Sequence, residues 1–236
     1  MSIQALLPTF VCIGAQKAAT TWLYGQLRQH PEVFLPRVKE LNYFYRDLPL
    51  ERYQDHYRSA TPRHARGDIS PNYMVLPGVA ERMRHTVPAA RLICILREPV
   101  ARAKSQYRMA VGLGNIPSDV PFIAAFRDNL QYIRERGCYL ELLERFTQLY
   151  CTEQVLILLY DDLLEDTPSF LREVHRHIGV QEGFLASDHQ VRIEPGEGLE
   201  LAPEQEAEVR SFYAAKLDEL EHYLGRSLPA WRVIRP

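Results

Sequence analysis

Apolar residues gather in four short segments, PTFVCIG (8–14), ARGDIS (65–70), ARLICILR (90–97) and EQVLILLY (153–160), and each is followed by a stretch with helical spacing. Three of them read as near-continuous apolar runs, the pattern of strands covered on both faces. ARGDIS is weak in apolar residues and is placed with the strands because it fits the alternation. The spacing predicts helices over 19–30, 77–86, 99–111, 119–136, 138–150 and 167–178. Strands alternating with helices predict an α/β fold, a doubly wound parallel sheet whose ligands bind beyond the carboxyl ends of the strands. Residues 180–202, containing GVQEGF and EPGEG, have little periodicity and read as a long loop across one end of the sheet. Long loops in compact domains are often binding lids. APEQEAEVRSFYAAKLDELEHYLG then predicts an amphipathic helix ending at Gly225, with Val209, Phe212, Leu217, Leu220 and Leu224 on or near its apolar face.

At 236 residues the chain is expected to be one domain, 1–236, large enough for a substantial core. Its longest apolar runs, ARLICIL and VLILLY, are far too short to cross a bilayer, so no membrane span is expected. The N-terminus lacks the charged start and small-residue cleavage site of a signal peptide, which predicts a cytoplasmic protein. Lys plus Arg number 28 against 30 Asp plus Glu, so there is no basic excess for nucleic acid and any anion must be held by a local site. Cys12, Cys94, Cys138 and Cys151 form no close pairs and read as free thiols. His175 and His177, two apart on a helix, point in different directions, and no metal site is expected.

The candidate chemistry begins at GAQKAATTWL (14–23). A strand running through this loop into a helix aims backbone N–H groups and a positive dipole end at the sheet's carboxyl edge, a geometry that binds phosphate or sulfate. Gly14, Ala15, Gln16, Ala18 and Ala19 shape that loop. Lys17 adds a mobile charge, Thr20 and Thr21 add hydroxyls and amides, and Leu23 and Leu27 pack the helix on the sheet. An ordinary strand-to-helix turn with a surface lysine fits the same string. The nucleoside-triphosphate loop does not, because its lysine follows a glycine and Lys17 follows Gln16. In LICILREPVARAKSQY, Arg97 ends an apolar strand and Pro99 suits the first helical turn. Ser105 lies about 9 Å along the axis from Pro99 at 1.5 Å per residue, so arginine and serine could reach one anion. Two anion sites on neighbouring strand ends suggest a ligand phosphorylated at two places.

With those residues in place, the chain resembles the sulfotransferases that use 3′-phosphoadenosine 5′-phosphosulfate (PAPS). GAQKAATTWL is similar to their 5′-phosphosulfate loop, and Arg97 to Ser105 is similar to their 3′-phosphate motif. VKELNYF is similar to the lysine-glutamate-aromatic segment of the heparan-type branch, where the glutamate is the catalytic base, and this assigns that role to Glu40, which by local sequence alone reads as a helix-start or surface carboxylate pairing with Lys39 or Arg37. The likeness continues through GDISPNYM, RGCYLELLERF, VLILLYDDLLEDTP and LGRSLPAW, in the family's order. The resemblance implies a P-loop-like α/β fold and transfer of a sulfuryl group from PAPS, without a metal, to a hydroxyl or amine of a carbohydrate or small metabolite. It adds Trp22 as a platform for adenine or a core residue, and Tyr139 as a lining of the nucleotide site or a packing residue. Ser70 is implied to approach the acceptor or to cap the turn before Pro71. Two departures stand out. Ile69 occupies a position where the heparan branch commonly has lysine, and the late loop reads VRIEPGEG with Arg192 as its sole positive charge. Both disfavour a polyanionic polysaccharide as acceptor. A small-molecule kinase, with Asp161 and Asp162 after VLILLY, and a nucleotide-binding module without turnover stay open as alternatives.

Overall fold

A computed structural model describes residues 6–186 and 199–232. In chain order the elements are β1 (Phe10–Gly14), α1 (Thr20–Gln29), β2 (Val33–Phe34), α2 (Leu50–Asp55), β3 (Ala65–Ile69), α3 (Val79–Thr86), β4 (Arg91–Leu96), α4 (Pro99–Gly112), α5 (Phe122–Arg127), α6 (Tyr139–Thr147), β5 (Val155–Leu159), α7 (Tyr160–Glu165), α8 (Thr167–Ile178) and α9 (Pro203–Leu224). Two compact units are distinguished, one of Met1–Leu96 with Arg145–Val191 and another of Arg97–Glu144 with Arg192–Pro236.

The first unit carries the expected sheet. Its five strands are all parallel, in the order β2-β3-β1-β4-β5, and the architecture is the doubly wound α/β plan. β1 is buried at every position, which is why FVCI is continuously apolar. The register pairs Phe10 with Gly67 and Val11 with Leu92, and Cys94 with Ile157. β3 escapes the apolar pattern because two of its residues do other work. A Cβ on Gly67 would lie 2.2 Å from the Phe10 ring and 2.5 Å from Leu35, so glycine leaves the room over β3 that these two side chains fill. Asp68 is buried and fully hydrogen-bonded, as described below. β2, with two residues, is too short to leave a periodic signature. Leu23 and Leu27 of α1 are completely buried, as the four-residue spacing predicts.

The second unit is helical. Val100, Ala103 and Tyr107 of α4, Phe122, Ile123 and Phe126 of α5, and Val209 and Tyr213 of α9 share one core. α4 starts where Pro99 enters its first turn, with the Glu98 carboxylate capping the amides of Val100 (3.0 Å) and Ala101 (2.6 Å). α9 ends at Gly225 in the left-handed conformation, as expected. The helix expected over 119–136 is interrupted: α5 stops at Arg127, and Asn129, Gln131 and Tyr132 adopt positive φ. Asn129 Oδ1 accepts from the amides of Arg134 (3.0 Å) and Glu135 (3.2 Å), so a short polar side chain captures backbone donors that a continuous helix would have used. Cys12, Cys94 and Cys138 are buried free thiols and Cys151 is an exposed one. No helix among the described residues is long and apolar enough to cross a membrane.

Candidate active site

The loop after β1 turns on two non-glycine residues in the left-handed region, Lys17 (φ 72°) and Ala19 (φ 62°). Ala15 donates its amide to Ile95 O (2.8 Å), which ties the loop to β4, and Ala15 and Ala18 are buried. Those alanines contribute backbone and packing, not functional side chains. Gly14 is needed for close approach: a Cβ there would meet Met74 Sδ at 2.9 Å. α1 then begins at Thr20 with Ala19 at its N-cap, a residue with no side chain to satisfy the first-turn amides. α8, by contrast, has Asp166 accepting from Ser169 N at 2.9 Å. An uncapped helix start preceded by a lysine suits an anionic group, so the loop fits the phosphosulfate end of the implied donor. Thr20 is buried, and Trp22 is half-buried with its ring edge-on to Phe170 at 6.1 Å between centroids.

Glu40 belongs to the irregular segment between β2 and α2. Tyr24 Oη on α1 donates to Pro36 O (2.7 Å), and Glu40 N donates to Ile69 O (3.1 Å) at the end of β3. Because β1 and β3 are adjacent and parallel, the Lys17 loop and Glu40 are brought to the carboxyl ends of neighbouring strands. Glu40 has φ 64°, and its Oε1 is 2.5 Å from Lys39 Nζ. The carboxylate is thus paired with Lys39, and a third of the Glu40 side chain is exposed. Asp161 and Asp162 open α7 after β5, and β4 stands between β5 and β1.

Ser70 is held by its neighbours, and its carbonyl closes the turn through Tyr73 N (3.0 Å). It is fully buried, donates its hydroxyl to Asp68 Oδ1 (2.7 Å) and accepts from Asn42 N (3.2 Å). Asp68 Oδ2 accepts from Tyr53 (2.9 Å) and Tyr73 (2.8 Å). Burial pushes the Asp68 carboxyl up from its ordinary range, and the three hydroxyl donors pull it back. Sequence reasoning passed over Asp68, Tyr53 and Tyr73; the available signal was a lone acidic residue inside a strand. Two buried amide oxygens nearby in sequence, Gln16 Oε1 of the loop and Asn42 Oδ1 beside Glu40, have no hydrogen-bond partner among the described residues. Unsatisfied buried acceptors call for a ligand or water to complete them.

In the second unit Arg97 is half-buried and precedes α4, and Ser105 is half-buried on that helix. Tyr139 is buried, donates its hydroxyl to Arg97 O (2.6 Å) and packs edge-on against Trp231 at 6.1 Å. Burial pushes its phenol well above the ordinary value. Lys104, next to Ser105, is bound by Glu206 at 2.6 Å. Arg192 lies outside the described residues.

Residues 7–193 match the sulfotransferase domain family model. A crystal structure of a sulfotransferase from Alicyclobacillus acidocaldarius superposes with a TM-score of 0.85 at 26% identity, covering 97% of this chain and 100% of that one. The membrane-associated sulfotransferase kil1 of Dictyostelium discoideum is 36% identical over 110 residues, 44% of this chain and 23% of its own length. The bifunctional heparan sulfate N-deacetylase/N-sulfotransferase 4 of Mus musculus is 27% identical over 273 residues, 95% of this chain and 31% of its own. The chain therefore spans only 23% and 31% of the length of these two relatives. With a doubly wound sheet and a family model matched across most of its length, the chain belongs to the sulfotransferase family.

Proposed function

We propose that residues 1–236 form a sulfotransferase domain that moves a sulfuryl group from PAPS to a hydroxyl or amine of a carbohydrate or small metabolite. The observation that supports this most is the arrival of the Lys17 loop and Glu40 at the carboxyl ends of the adjacent strands β1 and β3. When bound, PAPS supplies an activated sulfuryl group with a good leaving group. In-line transfer then asks the protein for positioning, charge stabilisation at the leaving oxygen and a base. The α1 amides, with the Thr20 and Thr21 hydroxyls, bind the phosphosulfate end, and Lys17 offsets the charge that develops on the bridging oxygen. Glu40 takes the acceptor proton, its carboxylate oriented by Lys39. Arg97 and Ser105 recognise the 3′-phosphate, with Tyr139 holding the Arg97 backbone, and Arg192 contributes from the late loop. Trp22 serves as an adenine platform.

Glu40 within VKELNYF and the likeness to the mouse N-deacetylase/N-sulfotransferase favour the heparan-type branch. Ile69 and the acidic late loop argue for an acceptor less anionic than heparan sulfate. A thermal-shift panel tests the donor assignment: adenosine 3′,5′-bisphosphate (PAP) at 100 times its Kd should stabilise the protein by about 2.7 kcal/mol. Stabilisation by ATP with magnesium but not by PAP would point to a kinase, and a response to neither would point to a module without turnover.

A further inference from the structure

We propose that Asp68 is a positioning residue that holds the Glu40 segment in its working conformation through Ser70 and Tyr73. This inference rests on the reading of Glu40 as the base. The chain of contacts is directional. A carboxylate can only accept, so the hydroxyl protons of Ser70 (2.7 Å) and Tyr73 (2.8 Å) point inward to Asp68. Their lone pairs are thereby turned outward, and each takes one backbone amide of the segment: Ser70 Oγ accepts from Asn42 N (3.2 Å) and Tyr73 Oη from Tyr43 N (2.9 Å). Glu40 N is held by Ile69 O, the residue after Asp68 (3.1 Å). Three amides within four residues are therefore fixed to the end of β3.

The segment needs such a clamp. Glu40 (φ 64°) and Asn42 (φ 55°) both sit in the left-handed region, which non-glycine residues rarely adopt and which persists only where the surroundings impose it. The clamp itself is rigid. Asp68, Ser70 and Tyr73 are at most 1% exposed, and Tyr53 supplies a third hydroxyl to Asp68 while its ring stacks on Tyr43 at 4.4 Å and 7°. Tyr53 thus braces both ends of the arrangement, the carboxylate and the aromatic residue three positions after Glu40. None of these four side chains is needed to touch donor or acceptor in this scheme. They act through the backbone that carries the base.

The test combines amide exchange with turnover. Tyr73→Phe removes one hydroxyl with almost no change in volume. In hydrogen–deuterium exchange resolved to single amides, it should speed exchange at Tyr43, and Ser70→Ala at Asn42, by about tenfold or more, while the α1 amides of Leu23 and Tyr24 are unchanged. Exchange at 42 and 43 as slow as in the wild type would overturn the clamp. Turnover is read as PAP released from PAPS with water as acceptor. Tyr73→Phe should lower kcat about tenfold without altering the Kd for PAP, and should have no further effect in the Glu40→Gln background. Equal losses in both backgrounds would mean that Tyr73 does not act through Glu40. Wild-type turnover by Glu40→Gln, with exchange still accelerated by Tyr73→Phe, would overturn the base assignment and leave the clamp standing. Asp68→Asn, which supplies one acceptor oxygen where two are used, should reproduce both exchange effects together.

Discussion

Replacing Glu40 by glutamine separates a catalytic carboxylate from a structural one by magnitude. The ion pair with Lys39 has Oε1 at 2.5 Å from Nζ, with the two side chains 33% and 17% exposed. Partly solvated pairs of this kind contribute about 0–1 kcal/mol. Glutamine keeps an oxygen for Lys39 and leaves the backbone hydrogen bond to Ile69 and the positive φ untouched. Folding should therefore lose at most about 1 kcal/mol, a Tm shift of about 2–4 °C for a protein of this size. PAP binding should be unchanged. A glutamine cannot take up the acceptor proton, so turnover should fall about 10²- to 10⁴-fold, equivalent to about 2.7–5.4 kcal/mol in the activation barrier. The assay pairs radiolabelled sulfate transfer from PAPS with thermal melting and PAP titration on the same preparations. Normal transfer would refute the role of Glu40, and a Tm drop far beyond a few degrees or lost PAP affinity would show that the residue is structural.

Lys17→Ala should lower turnover by about 10²-fold or more, the scale of one lost transition-state donor, while the protein melts as before; wild-type turnover would remove Lys17 from the mechanism. Arg97→Ala should weaken PAP by about 1.5–3 kcal/mol and leave adenosine 5′-phosphosulfate affinity nearly unaltered in calorimetric titrations, because the guanidinium is assigned to the 3′-phosphate alone. The buried His175 ring lies 4.8 Å from His30, and burial lowers its pKa to about 4 from an ordinary 6.5. The unfolded chain then binds the proton first as pH falls, so stability should decline from about pH 6.5 toward pH 4 and level off below, a total loss of about 3 kcal/mol at most. Melting curves of His175→Phe should lack that component, and an unchanged pH dependence would show that another group is responsible.

What the sequence determined by itself is what depends on neighbours along the chain. The Lys17 loop was legible because strand, turn and helix follow one another within 14–23. The end of α9 at Gly225 and the start of α4 at Pro99 were legible for the same reason, since caps and breakers act within one turn. Burial on both faces makes β1 and β4 stand out as apolar runs, and β5 is as apolar although, at the edge of the sheet, only Leu158 and Leu159 are fully buried. The helix expected over 119–136 failed on a competition that periodicity does not see, between the backbone and the Asn129 side chain. Tertiary structure alone decided where Glu40 and Ser70 lie and what they contact. By local sequence Glu40 is a surface carboxylate beside Lys39; it reaches the carboxyl edge of the sheet because its amide bonds to β3, twenty-nine residues further along the chain. The Ser70 hydroxyl links Asp68 to Asn42, while its carbonyl closes the turn to Tyr73. Asp68 looked like a flaw in a strand because the hydroxyls that satisfy its charge come from positions 53, 70 and 73, and a buried charge is tolerable only where folding brings such donors to it.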